Sequence, residues 1–250
     1  MNFFSVFVTS VILQKNLTGD NGSDSIQVPV KMKDSSDIPE NEMDTSTRRM
    51  PTRDSITDVG HTKWLALNTI DYTDANGVQR KWDFATRTTK QGMDEPDAVV
   101  IVPILQSKKS KTIETILVQQ YRPPIGKCSL EFPAGLVDKG ESAQDAALRE
   151  LLEETGFIGT VNQDFQESMI LCMSPGICDE TVKIVVIDVD MDREENKNPI
   201  QVLDEGEDII VKRVDLMTGL KDMITAGSEM PISFLYSFAL GLEIGKRNSK

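Results

Sequence analysis

The stretch that decides the fold is GLVDKGESAQDAALRELLEETGF, residues 135–157. It crowds four glutamates around a single arginine, and a glycine stands at or near each end. The acids are Glu141, Glu150, Glu153 and Glu154, and the arginine is Arg149. Like charges one helical turn apart repel by about 0.2–0.5 kcal/mol per pair. A solvated helix face usually alternates its charges and needs no flanking glycines, so the pattern favours a functional site over an acidic surface.

The segment predicts one helix of about four turns over residues 142–155. Ser142, followed three residues later by Asp145, resembles a capping box, and AALRELLEE consists of strong helix formers. Gly156 supplies the C-terminal stop. Glu150 and Glu154 then lie about 40° apart on one helix face. A divalent cation would make this spacing favourable, and oxygen ligands suit Mg²⁺ or Mn²⁺.

The composition excludes several other classes of site. The chain has 250 residues and a net charge of −13, so it repels polyanions and nucleic acid is a poor partner. His61 is its only histidine, which argues against histidine triads and multi-histidine metal sites. The three cysteines (Cys128, Cys172 and Cys178) lack zinc-type spacing and indicate reduced thiols in an intracellular setting.

The N-terminal part differs from the rest of the chain. Residues 1–13, MNFFSVFVTSVIL, are apolar but fall short of the roughly 18 residues that span a membrane. A targeting segment, an extension that docks on the fold and a start-site artefact all remain open for them. Residues 14–58 are polar and lack apolar periodicity, which predicts a largely disordered linker. The packed domain is expected to begin near Val59.

The pattern from Val59 onward predicts an α+β or mixed α/β domain rich in strands. Asn76–Gly77 predicts the turn of a first β-hairpin, and the basic QSKKSK segment joins the strands of a second. Strands are expected at 64–72, 81–89, 99–105, 112–121, 129–132, 168–173, 182–190 and 209–216, and further helices at 216–226 and 231–245. We divide the chain into an extension (1–58), a hairpin region (59–95) and a main domain (96–246).

Residues 135–157 resemble the Nudix box at every position that defines it. The matching residues are Gly135, Glu141, Arg149, Glu150, Leu151, Glu153, Glu154, Gly156 and Phe157. The resemblance implies an α/β/α sandwich with a mixed sheet and hydrolysis of a nucleoside diphosphate linked to another group. A diphosphate can approach so acidic a cluster only if metal ions neutralise its charge, so the implied chemistry agrees with the composition.

The same resemblance implies roles for the box residues. Glu150 and Glu154 would bind Mg²⁺, or Mn²⁺ as the alternative. Glu153 would be a further ligand or hold the catalytic water, and the carbonyl of Ala134 is another candidate ligand. Arg149 would orient the glutamates. Glu141 would either stabilise the helix end or bind metal.

The flanking segments resemble the ADP-ribose and ADP-sugar pyrophosphatases, in particular their eukaryotic, fungal-like members. The similar elements are VQQYRPPIG, SLEFPAGLVDKGE and MSPG. The implied reaction converts an ADP-sugar to AMP and a sugar phosphate. Two alternatives remain: a hydrolase of another nucleoside diphosphate derivative (an oxidised dNTP or a dinucleotide), and a sensor that binds a nucleotide without turnover.

The subgroup also implies residues that contact the substrate. Trp64 and Trp82 on the hairpin region would stack on adenine, with Asp83 and Arg87 beside the nucleotide; ordinary packing is the alternative for the tryptophans. Family members are homodimers in which the two tryptophans of one site come from different subunits. Arg122 and Leu136 are further candidate substrate contacts, and a surface salt bridge is the alternative for Arg122.

A general base is expected in the polar segment VLDEGEDII. Glu207, two residues before the strand that begins at Ile209, aligns best with the base of the subgroup, and Glu205 is the runner-up. A solvated acidic loop is the alternative. The expected setting is cytoplasmic, with the nucleus or mitochondrion as further options, and neither nucleic acid nor a membrane is an expected partner.

Overall fold

A computed structural model describes residues 49–165 and 167–248. The apolar residues 1–13 and most of the predicted linker lie outside these ranges. No helix within them is long and apolar enough to cross a membrane.

The first sheet has three antiparallel strands in the order β1–β2–β3. They are β1 (Thr52–His61), β2 (Leu65–Thr73) and β3 (Gln79–Arg87). The predicted Asn76–Gly77 hairpin is confirmed: Gly77 has a φ of 80°, and the Asp74 carboxylate accepts hydrogen bonds from the amides of Asn76 and Val78, both at 2.9 Å. Gly77 is suited to this turn because it adopts positive φ without a steric penalty.

Strand β1 corrects the expected start of the packed region. It begins at Thr52, whereas the linker was predicted to reach residue 58 and the domain to begin near Val59. All ten of its side chains are exposed. A strand that buries neither face has no alternating apolar pattern, so sequence periodicity gave no signal for it.

The second sheet has nine strands and is mixed. They are β4 (Ala98–Gln106), β5 (Glu114–Arg122), β6 (Lys127–Glu131), β7 (Ala134–Leu136), β8 (Thr160–Val161), β9 (Leu171–Cys172), β10 (Thr181–Asp190), β11 (Ile209–Asp215) and β12 (Met230–Pro231). The main path runs β12–β6–β5–β4–β10–β8, while β11 pairs with β5, β7 with β4 and β9 with β10. The β4–β10 and β6–β12 pairs are parallel and the others are antiparallel.

Within the described part of the chain, three α-helices cover the two faces of this sheet. They are α1 (Ala143–Thr155), α2 (Leu220–Ala226) and α3 (Ser233–Asn248), and short 3₁₀ turns lie at Pro123–Ile125 and Glu195–Lys197. Alternate residues of β4 face different cores: Val99 and Ile101 pack in the cluster that contains α1, and Val100 and Val102 in the cluster that contains α2 and α3. The predicted α+β sandwich is therefore confirmed.

In the second predicted hairpin, β4 and β5 are paired only near the turn that joins them, because β4 lies in the middle of the sheet. Strands β4 and β5 share the register pair Leu105–Glu114, and β4 otherwise runs parallel to β10. A continuous apolar run such as VVIVPIL is typical of a strand whose two faces are both buried. At its edges, β4 lies between β5 and β10.

Two other predicted elements are shorter than expected. The strand predicted at 168–173 contracts to Leu171–Cys172, with Met169 and Met173 exposed. Helix α2 begins at Leu220 rather than 216, because the Asp215 carboxylate accepts hydrogen bonds from the amides of Met217 and Thr218 and holds a turn there.

The two sheets are joined by a buried ion pair. The Lys90 ammonium lies 2.7 Å from the Asp97 carboxylate, and their side chains are only 10% and 2% exposed. Lys90 also donates to the carbonyl of Asp179 at 3.0 Å. The same Asp97 oxygen accepts from the amide and hydroxyl of Thr181. Residues just after β3 are thereby fixed to the start of β10.

Replacing Lys90 by methionine should destabilise the protein strongly. The change leaves a buried carboxylate without its counter-charge, which typically costs about 3–5 kcal/mol of unfolding free energy. Urea denaturation would measure the loss. Lys81→Met is the matched control, because Lys81 pairs with Asp71 at the surface, and its urea midpoint should stay unchanged. A similar midpoint for both variants would show that the contacts from Thr181 suffice to hold Asp97.

Candidate active site

Helix α1 presents its glutamates from a well-capped frame. The Asp145 amide donates to the Ser142 hydroxyl at 3.1 Å, and that hydroxyl donates to the Asp145 carboxylate at 2.7 Å. At the other end Gly156 adopts a φ of 74° and its amide donates to the carbonyl of Leu152. Buried Ala146, Ala147 and Leu151 face the sheet. The predicted helix and both of its caps are confirmed.

Two glycines of the quoted stretch allow close approaches. A Cβ atom on Gly135 would lie 1.9 Å from Cδ of Glu150, so the glutamate side chain lies directly over this backbone. A Cβ atom on Gly156 would lie 2.4 Å from the backbone nitrogen of Ile200. A larger residue at position 135 would displace the end of the Glu150 side chain, whereas one at position 156 would collide with the backbone of Ile200, in the segment that precedes β11.

Arg149 gathers the acidic side chains. Its guanidinium donates to both oxygens of Glu141 at 2.9 Å, to Glu150 at 2.8 Å, to Glu153 at 2.9 Å and to the carbonyl of Leu136 at 2.9 Å. The hydrogen bonds that Arg149 donates to Glu141 are the largest cause that raises the pKa of Arg149, and Arg149 in turn lowers the pKa of Glu141. The arginine thus holds three carboxylates that would otherwise repel one another.

Glu141 ties the loop before α1 to the helix. Besides its two bonds from Arg149, it accepts a hydrogen bond from the amide of Asp138 at 3.0 Å. Both of its oxygens are engaged in these contacts, which favours helix-end stabilisation between the two roles considered for it.

Glu154 is the most deeply buried acid of the cluster. It is 4% exposed and accepts a hydrogen bond from the amide of Ala134 at 3.0 Å. Burial raises its pKa to about 8, and the charges of Glu150 and Glu207 act in the same direction. Burial also raises the pKa of Glu150, against the opposing effect of Arg149.

A cavity of about 790 Å³ opens in front of these residues. Its lining contains eight acidic side chains and three arginines. The acids are Glu131, Asp138, Glu150, Glu153, Glu154, Glu180, Asp204 and Glu207, and the arginines are Arg87, Arg122 and Arg149. Negative charge therefore exceeds positive charge at this wall.

The donor set fits a hard divalent cation. Carboxylate oxygens are the ligands that Mg²⁺ and Mn²⁺ prefer, and an added cation would oppose the burial and the neighbouring negative charges that raise the pKa values of Glu150 and Glu154. Among the described residues, no three acidic side chains are arranged closely enough to hold a metal ion without rearrangement. Arg149 occupies one oxygen of Glu150 and one of Glu153.

Most of the predicted site residues line this one cavity. They are Arg87, Arg122, Ala134, Leu136, Arg149, Glu150, Glu153, Glu154 and Glu207. The runner-up base, Glu205, is exposed and is absent from the lining. A second surface cavity, of about 640 Å³ beside Phe165 and Lys183, contains none of the predicted site residues.

Trp64, Trp82 and Asp83 lie outside the cavity lining within one chain. Trp64, in the turn between β1 and β2, is 60% exposed, and Trp82, on β3, is 47% exposed. The Trp82 indole donates to the carbonyl of Gly176 at 3.3 Å, and Asp83 accepts a hydrogen bond from Thr69 at 2.6 Å. The Lys63 ammonium lies 4.2 Å from the ring centre of Trp64.

Two carboxylates that the sequence interpretation passed over hold the other cavity arginines. Glu131 receives two hydrogen bonds from Arg122, at 2.8 and 3.0 Å, and Glu180 receives one from Arg87 at 2.5 Å. Glu131 stands inside the quoted SLEFPAGLVDKGE element, so the motif contained it without indicating its role. For Glu180 the sequence offers no such signal, because the pairing joins residues 93 positions apart.

Comparison with known proteins matches this chain to one family. The model of the NUDIX domain matches residues 94–222. A Saccharomyces cerevisiae ADP-ribose pyrophosphatase is 40% identical over 62% of this chain and 65% of its own length. A Mus musculus ADP-sugar pyrophosphatase is 35% identical over 82% of this chain and 94% of its own.

A solved structure described as an ADP compounds hydrolase has a similar fold. It covers 81% of this chain and 97% of its own, with a TM-score of 0.58 and 20% identity. At that identity the likeness concerns the fold alone.

The raised pKa of Glu154 predicts a pH dependence of stability in metal-free protein. With a folded pKa of about 8 and an ordinary value of 4.5, the folded state binds the extra proton between these values. The contribution to stability is therefore complete below about pH 4.5 and is lost as pH rises through about 8.

Thermal unfolding in EDTA would test this dependence. The melting temperature of wild type should fall between pH 6 and 9, and Glu154→Gln should flatten the fall because the amide does not titrate. Added Mg²⁺ should raise the wild-type melting temperature at the upper end. Parallel pH profiles for wild type and variant would contradict the buried-carboxylate account.

Proposed function

Because the chain belongs to the Nudix family, whose domain matches more than half of its length, we propose that it is a Mg²⁺-dependent pyrophosphatase of ADP-ribose and related ADP-sugars. The observation that carries the proposal is the cavity whose lining brings Arg87 and Arg122 together with Arg149 and the glutamates of α1. The similarity to the yeast and mouse pyrophosphatases supports the ADP-sugar as the substrate class.

One group of cavity residues would bind the metal ion, and another would contact the phosphates of the substrate. Glu150 and Glu154, with Glu153 and the carbonyl of Ala134, would hold Mg²⁺, and Mn²⁺ suits the same oxygen donors. When bound, the cation neutralises diphosphate charge and lowers the pKa of water. Arg149 keeps Glu150 and Glu153 oriented through its charge-assisted hydrogen bonds.

Two other arginines are placed for the anionic substrate. Arg122 and Arg87 line the cavity, and each keeps donors beyond those that Glu131 and Glu180 engage, since a guanidinium carries five N–H groups. They would bind diphosphate oxygens and fix the substrate. Leu136, also in the lining, offers an apolar contact beside them.

Glu207 is the proposed general base. It lines the cavity, and its charge contributes to the raised pKa values of Glu150 and Glu154. It would accept a proton as a water oxygen bonds to phosphorus and the bridging P–O bond breaks. The products are AMP and a sugar phosphate, ribose 5-phosphate in the case of ADP-ribose.

Release of AMP by purified protein tests the substrate and the base together. With Mg²⁺ present, wild type should hydrolyse ADP-ribose, and Glu154→Gln should abolish turnover. Glu207→Gln should lower kcat by roughly 10²-fold or more, the usual scale for general-base catalysis. Glu205→Gln is the matched control, because the same loop carries it outside the cavity lining, and it should keep wild-type kcat.

A substrate panel separates the rival functions. ADP-glucose, NADH, 8-oxo-dGTP and diadenosine polyphosphates would be assayed beside ADP-ribose. Turnover of 8-oxo-dGTP or a dinucleotide alone would reject the ADP-sugar assignment and keep the hydrolase. Binding of ADP-ribose without turnover of any compound would identify a nucleotide sensor.

The proposal includes a homodimer, in which Trp64 and Trp82 of different subunits would enclose adenine. Both side chains are exposed, one in the β1–β2 turn and one on β3, outside the cavity of their own chain, which supports a role completed by a second copy. Asp83, on the same sheet, would lie beside the nucleotide. A cytoplasmic setting is part of the proposal and is supported by the three free cysteines.

Sedimentation analysis at the assay concentration tests the dimer. The active protein should sediment with twice the mass of one chain, and Trp82→Ala should raise KM while it leaves α1 and its metal ligands intact. A monomer that hydrolyses ADP-ribose at full rate would contradict the shared site.

A further inference from the structure

The segment that carries Glu207 is attached to α1 through residues 200–202, here called its base, rather than through the turn at residues 204–207, its tip. We define the acidic loop as residues 198–208, between the second 3₁₀ turn and β11. Its first contact is steric: the backbone of Ile200 lies against Gly156, at 2.4 Å from the position of a Cβ atom there. Its second is the hydrogen bond from the Val202 amide to the carbonyl of Glu153, at 2.9 Å.

Gln201 makes the third contact, and it joins both ends of the acidic loop. Its side-chain nitrogen donates to the carbonyl of Glu154 at 2.6 Å and to the carbonyl of Ile209 at 3.0 Å. A primary amide carries two N–H groups, so this contact uses both of them. One side chain thereby fixes the end of α1 to the first residue of β11.

These bonds meet a need of the helix terminus. The last four carbonyls of an α-helix have no partner within the helix. Here Glu153 and Glu154 receive their carbonyl partners from the acidic loop, while their side chains belong to the carboxylate cluster. The carboxylates of Glu153 and Glu154 therefore form part of the cluster, while their backbone carbonyls hold the acidic loop.

The tip of the acidic loop is a tight turn that depends on its base for position. The Glu207 amide donates to the carbonyl of Asp204 at 3.1 Å, and the Asp204 amide donates to the Glu207 carboxylate at 3.0 Å. Gly206 takes the third position with a φ of 91°, the left-handed conformation that favours glycine. These two hydrogen bonds lie within the turn itself, so the contacts at residues 200–202 are the ones that tie the acidic loop to α1 and place Glu207.

We propose that Gln201 is a positioning residue for the reaction, because its amide closes the base of the acidic loop and sets Glu207 against the glutamates of α1. The inference rests on the proposed function, in which Glu207 is the general base. It assigns a role in turnover to a neutral side chain that is absent from the cavity lining.

A double-mutant cycle between Gln201 and Glu207 tests the inference. Gln201→Leu should lower kcat for ADP-ribose by about 10–100-fold, the scale of lost orienting contacts, with KM within about threefold. The double variant should keep a kcat within about threefold of that of Glu207→Gln alone, because misplacing the base adds nothing once the base is removed. A merely structural role for Gln201 would give additive losses and overturn the proposal.

Two further variants control for folding and for the nature of the change. Gln163→Leu removes an exposed glutamine whose amide donates to the carbonyl of Val161, away from the acidic loop, and should keep wild-type kcat. If Gln201→Leu unfolds, Gln201→Glu keeps the shape but loses both donors at neutral pH, and the same cycle applies to it. Wild-type kcat in a folded Gln201→Glu variant would also overturn the inference.

The wild-type assay distinguishes failure of this inference from failure of the proposed function. If wild type cleaves ADP-ribose and the cycle is additive, the function stands and the positioning role falls. If wild type cleaves another compound of the panel, the cycle is measured with that compound. If it cleaves none, the proposed function and the role of Gln201 fall together.

Discussion

The repulsion among the glutamates of α1 is the constraint on which the rest of the site depends. A helix places residues three and four positions apart next to each other on one face. The backbone positions of Glu150, Glu153 and Glu154 therefore cannot separate without unwinding the helix. Arg149 relieves part of this repulsion by sharing its donors among Glu141, Glu150 and Glu153. Glu154 receives none of those donors, and it is the acid whose pKa burial raises to about 8. A cation bound there would favour the charged form of this carboxylate and so act against the effect of burial.

The same constraint explains why other groups approach the backbone closely at two glycines next to α1. The Glu150 side chain reaches Arg149 by lying over the backbone of Gly135, where any side chain would collide with it. Gly156 ends the helix and also admits the backbone of Ile200. One glycine thus controls the orientation of a carboxylate, and the other controls the approach of the acidic loop. Gly156 combines a positive φ with a tertiary contact, whereas Gly135 is constrained by its tertiary contact alone.

The sequence predicts these features well where local rules determine them. The caps of α1, the Asn76–Gly77 turn and the α+β class follow from short-range patterns, and the structure agrees with each. Strand β1 was missed because it buries no side chain, so its pairing with β2 left no hydrophobic period. The clustering of Arg87, Arg122 and Glu207 around α1 came from family resemblance, because no local rule brings residues so far apart in sequence to one cavity.

A salt bridge was the alternative considered for Arg122, and the structure shows one with Glu131. The pairing of Arg87 with Glu180 had no counterpart in the sequence interpretation, and both pairs change the electrostatic argument. An arginine already paired with a carboxylate attracts an anion less than a free one does, because the pair has almost no net charge at a distance. Eight acids and three arginines then leave the cavity net negative, so its own side chains would not concentrate a diphosphate. Attraction must come from the bound cation, while the paired arginines supply fixed donors at short range. It follows that substrate affinity, and not only the rate of hydrolysis, should depend on the metal in this protein.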